Sequence, residues 1–79
     1  MNSRIIEHLK IIKKRPFIYV KDVEELKAFL FGLEVGAFGF MIGMSESLLF
    51  IRDVKPKSDK DIDWAQSLID LYIEEFKRM

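Results

Sequence analysis

The sequence predicts an all-α fold, a small bundle of three main helices forming one domain over residues 1–79. Three observations carry this. Apolar residues recur at helical spacing in three separate stretches. Pro16 and a polar loop around Pro56 divide those stretches. Four glycines, Gly32, Gly36, Gly39 and Gly43, fall at spacings of four, three and four inside the most apolar part of the chain, between Ala28 and Met44. Residues three and four apart stack on a helix surface, so this spacing puts all four glycines on one stripe.

The first helix is expected over residues 3–14. Ile5, Ile6, Leu9 and Ile12 share a stripe that Glu7 and His8 avoid, and Lys10, Lys13, Lys14 and Arg15 gather where cations favour the helix dipole. Pro16 closes it, because the residue before proline leaves the α region and proline has no N–H to donate. Phe17 to Val20 then reads as an extended connector or short strand.

The second helix is expected over residues 22–44. Asp22 followed three residues later by Glu25 is a capping-box start, with Glu24 adding negative charge to the first turn. Val23, Leu26, Leu30, Leu33, Ala37, Phe40, Met41 and Met44 make one apolar face, and Phe31, Val35, Phe38 and Ile42 make another. A helix apolar on so many sides is expected at the centre of the bundle. The third main helix is expected over residues 59–77, opened by Ser58 with Asp61 and carried by Ile62, Ala65, Ile69, Tyr72, Ile73 and Phe76. A short segment near residues 48–54 reads equally as helix or strand. An α+β alternative pairs Phe17–Val20 with Leu48–Val54.

Composition limits the function classes. The chain has 79 residues, no cysteine, and 13 basic against 13 acidic side chains. No disulfide or thiolate metal site can form, and so small a core supplies only about 3–5 kcal/mol of net stability. A partner chain is one way to add to it, so a homo-oligomer is an expected form. Zero net charge speaks against a dedicated nucleic-acid binder. The charge is uneven, however: residues 1–21 carry six Lys or Arg against one Glu, and residues 59–79 carry three against six acids. Arg4, Glu7 and His8 interrupt any secretory leader, which makes the cytoplasm the expected compartment.

No residue set carries chemistry. Asp59, Asp61, Asp63, Ser67 and Asp70 follow calcium-loop spacing, but Trp64 stands where such a loop needs glycine and Asp70 where it needs the longer Glu. His8 is the only histidine, and Ser45 and Ser47 have no base nearby in sequence. No phosphate-binding loop is present. No enzyme activity, cofactor, metal or small-molecule substrate is therefore expected. Glu34 in the middle of the apolar segment would cost about 2.5–3.5 kcal/mol inside a bilayer, so the segment reads as a core helix and no membrane partner is expected.

What remains is association. Glycine in a helix interior costs roughly 1 kcal/mol against alanine, so the stripe Gly32, Gly36, Gly39 and Gly43 is expected to form an interface with another helix, from this chain or a second copy. Lys10, Lys13, Lys14, Arg15 and Tyr19 are a second candidate binding surface. They support the alternative function, a small nucleic-acid-binding regulator using the basic first helix.

Arg15-Pro16 with Tyr19, followed by Leu26, Phe29, Leu30 and Gly32, resembles a pattern of small bacterial helical proteins. In them an Arg-Pro-x-x-Tyr element precedes a Leu-x-x-Phe-Leu-x-Gly-Tyr helix. Some of these look like immunity proteins of toxin systems. Leu33 stands where that pattern has Tyr after the glycine. The resemblance implies a cytoplasmic, helical, protein-binding domain and brings no catalytic residue.

Overall fold

A computed structural model describes residues 2–38 and 54–78. They form four helices in the order α1 (Asn2–Lys14), α2 (Pro16–Tyr19), α3 (Val23–Phe38) and α4 (Ile62–Arg78), with no strand among the described residues. The all-α bundle expected from the periodicity is the fold observed. Gly39, Gly43, the expected end of the second helix and residues 48–53 of the short segment lie outside the described residues.

Two carboxylates set where the long helices begin. Asp22 Oδ1 accepts the Glu25 N–H at 2.9 Å, and Glu25 Oε1 accepts the Lys21 N–H at 2.9 Å. This is the reciprocal arrangement the sequence predicts, with the return bond falling one residue before the cap. For α4 the expected Ser58–Asp61 pairing is corrected. Asp61 is itself the cap, its Oδ1 accepting the Trp64 N–H at 3.0 Å and its Oδ2 the Lys57 N–H at 2.9 Å. Those two backbone N–H groups, Trp64 first, hold the Asp61 carboxyl below its ordinary value of 3.8.

The reading of Phe17–Val20 as extended is also corrected. Residues 16–19 form the one-turn helix α2, with Pro16 in its first turn and the Val20 N–H donating to the Pro16 carbonyl at 3.1 Å. Proline is pre-shaped for the first helical position, where an N–H would have no partner anyway. Pro16 thus stops α1 and starts α2, and the buried ring fixes the corner between them.

Among the described residues, α4 supplies the largest share of the core. Its Trp64, Ala65, Leu68, Ile69, Tyr72, Ile73 and Phe76 are all buried, at spacings that follow one helix face. Leu9 from α1, Val20, and Val23, Leu26 and Leu30 from α3 complete the core, with Ile5, Ile6, Ile12, Phe17, Leu33 and Leu71 packed around it. Polar ties fix α1 on α4: Gln66 Nε2 donates to the Lys13 carbonyl at 2.9 Å, and Lys13 Nζ lies 2.6 Å from Asp70. The first satisfies a carbonyl that the end of α1 leaves open. Trp64 joins the other side, its Nε1 donating to the Val54 carbonyl at 3.1 Å and its ring lying 5.6 Å under the Lys27 ammonium of α3.

Candidate interaction site

An apolar groove of about 330 Å³ lies between α1 and α3. Ile5, His8, Ile11 and Ile12 of α1 line it on one side, Phe29 and Leu33 of α3 on the other, and Tyr19 of α2 also lines it. Tyr19 and Ile11 are 55% and 50% exposed and Phe29 is 39% exposed, so the groove opens to solvent along its length. Ile18 extends the apolar surface beyond Tyr19 at 66% exposure. A small ligand is normally buried over most of its surface, which an open trough with half-exposed walls does not provide. A helix laid along the trough would cover it.

Gly32 and Gly36 stand exposed on α3 beside this wall. A Cβ built on either meets no atom within 4 Å, and neither has a positive φ. Their backbone is therefore bare rather than nested, and nothing local to the helix demands glycine. The other two members of the expected stripe, Gly39 and Gly43, fall outside the described residues.

The basic and aromatic candidates do not come together as one surface. Lys10, Lys13 and Lys14 lie with Lys77, Asp70 and Glu74 along the edge between α1 and α4. There Lys10 is 3.6 Å from Glu7, Lys13 2.6 Å from Asp70 and Lys77 3.8 Å from Glu74. The edge is one of alternating sign, unlike the cationic track that follows a nucleic-acid backbone. Arg15 stands exposed at the corner, and Tyr19 belongs to the apolar groove.

Two of the acids with calcium-loop spacing have structural partners: Asp61 caps α4 and Asp70 faces Lys13. Among the described residues no three His, Cys, Asp or Glu side chains are grouped to hold a metal, and no helix is long and apolar enough to cross a membrane. Ser45 and Ser47 lie outside the described residues.

Ile11, Phe29 and His8 were not singled out by periodicity as a site. Their one local trace is that Ile11 departs from the stripe of Ile5, Leu9 and Ile12, an apolar residue without an inward place on its own helix. No family model matches the chain, and no match is found among curated proteins or solved structures.

Proposed function

We propose that this protein is a non-enzymatic protein–protein interaction module that receives a helix in the groove between α1 and α3. The observation that carries the reading is the open apolar trough of Ile11, Ile12, Tyr19, Phe29 and Leu33 beside the bare backbone of Gly32 and Gly36. Apolar walls supply the driving force, at about 25 cal/mol for each Å² removed from water. The side-chain-free edge lets a second backbone come close, as small residues do at tight helix crossings. The partner is another protein or a second copy of this chain. The immunity-type inhibitor suggested by Arg15-Pro16, Tyr19 and the Leu26–Gly32 pattern is one form of such a module, in which the partner is a toxin.

Site-specific photo-cross-linking tests the reading. A photoreactive phenylalanine placed at Ile11 or Phe29 is expected to give discrete polypeptide adducts in cells, whereas the same group at Asp63 or Ser67, on the exposed face of α4, gives none. Adducts of twice the chain mass identify self-association. Absence of adducts at both groove positions overturns the reading.

A further inference from the structure

The two long helices that line the groove carry opposite net charge. Along α1 stand Arg4, Lys10, Lys13 and Lys14 against Glu7, and along α3 three glutamates against Lys27. Pairs within the chain do not cancel this difference. Lys10 is 3.6 Å from Glu7 and Lys13 is 2.6 Å from Asp70, which leaves Arg4, and Arg15 just past the helix end, without an ion-pair partner among the described residues. On α3, Glu24 lies 3.6 Å from Lys27, whereas exposed Glu25, one turn before Phe29, accepts only the Lys21 N–H. The α1 side thus keeps a cationic excess and the α3 side an anionic one. The apolar surface between them is of useful size. The exposed parts of Ile11, Ile18, Tyr19 and Phe29 amount to roughly 400 Å², taking about 200 Å² for a whole large side chain. A standard interface draws about 800 Å² from each partner, rather more than half of it apolar, so this face supplies most of the apolar share.

Resting on the interaction reading above, we infer that the occupant is a second copy of this chain, related by a two-fold axis along the groove so that α1 of each copy lies on α3 of the other. Such an axis exchanges the two sides: what faces α1 of one copy is α3 of its partner, and the reverse. Sides alike in sign would repel their own copy in this arrangement, whereas sides of opposite sign attract at both contacts. The apolar residues between them cover one another and supply the driving force. Bare backbone at Gly32 and Gly36 lets the partner's α1 come close to α3. The modest area fits a dimer that forms as concentration rises rather than a permanent one.

Sedimentation equilibrium of the full chain, combined with a charge exchange, tests this. The mass is expected to rise from 9.3 kDa toward twice that value between about 1 μM and 1 mM. Arg4→Glu/Arg15→Glu reverses the α1 side, and Glu25→Arg reverses the α3 side. Each variant, shown folded by circular dichroism, is expected to dimerise about tenfold more weakly at low salt, because every charge contact occurs twice. Mixed in equal amounts, the two are expected to recover the wild-type affinity, since the mixed dimer has opposite signs at both contacts. A mass that stays at 9.3 kDa up to about 1 mM overturns the inference. So does a mixture that fails to recover. If neither reversal alone weakens association while the mixture exceeds the wild type, like helices face each other and the arrangement is wrong. With a fixed mass, groove cross-links to a different polypeptide leave the interaction reading standing; absence of groove cross-links removes both.

Discussion

Replacing Gly32 and Gly36 separates what the fold needs from what the groove is for. Each lies in α3 with open space where a Cβ would stand, so alanine introduces no clash. At Gly32, mid-helix, alanine should stabilise by about 0.5–1 kcal/mol, by restricting the unfolded chain and restoring helix propensity. Gly36 lies one turn further along α3, and alanine there should act in the same direction. Together the substitutions are worth about 1 kcal/mol, a large share of the about 3–5 kcal/mol available to so small a core, and should raise the melting temperature by about 4–8 °C. The Gly32→Leu/Gly36→Leu variant should also be at least as stable as the wild type, since leucine is a good helix former and these positions face outward. A bulky pair on that edge would nevertheless hold an incoming helix off, and overpacking of about 1–3 kcal/mol weakens its binding by tenfold or more. Thermal melts by circular dichroism and the yield of photo-cross-links at Phe29 read the two effects apart. A fall in melting temperature for the alanine variant would refute the reasoning, because it would mean that something already fills that space in the free chain.

Three further outcomes follow from the caps and the core. Asp61 has a folded-state value below its ordinary one, so its contribution is complete above pH 3.8 and is lost as pH falls through the lower folded value. Asp61→Asn should flatten acid unfolding in that window while keeping the Trp64 cap bond and losing the Lys57 bond; Ser58→Ala should stay within about 0.5 kcal/mol in urea melts, and a larger loss would restore Ser58 as the cap. Leu68→Ala, at the centre of the α4 face, should cost about 2–5 kcal/mol and leave much of the chain unfolded at room temperature; an unchanged urea midpoint would show that α4 is not the centre.

The helices were legible because their signals are local. Ile5, Leu9 and Ile12 mark α1, and Trp64 through Phe76 marks α4, on spacing alone. The start of α4 was misplaced because Ser58 and Asp61 fit a capping rule in which the second residue is subordinate, whereas Asp61 takes both the Trp64 and Lys57 N–H groups itself. Phe17–Val20 reads as extended in sequence because the same proline ends one helix and begins another, and sequence proximity does not say which role wins. The groove was not legible at all. It depends on which residues of α1 and α3 meet in space, a relation between residues such as Ile11 and Phe29 that no spacing along one helix encodes.

Among the described residues, α3 buries only part of its apolar surface. Val23, Leu26 and Leu30 bury its inner edge, yet Phe29 and Phe31 remain 39% and 40% exposed and Gly32 and Gly36 leave its backbone uncovered. Exposed aromatic surface raises the tendency to associate, and glycine lowers helix stability, so within the described residues both features act against the isolated chain. A helix seated in the trough removes the first cost by covering Phe29 with Ile11 and Tyr19, and turns the second into close backbone contact. Phe31 lies on the far side of α3 and is not relieved by that occupant. Its substitution, Phe31→Glu, is therefore expected to leave the photo-cross-links at Ile11 unchanged, whereas Phe29→Glu abolishes them; equal losses from both would move the contact from the groove to the outer face of α3.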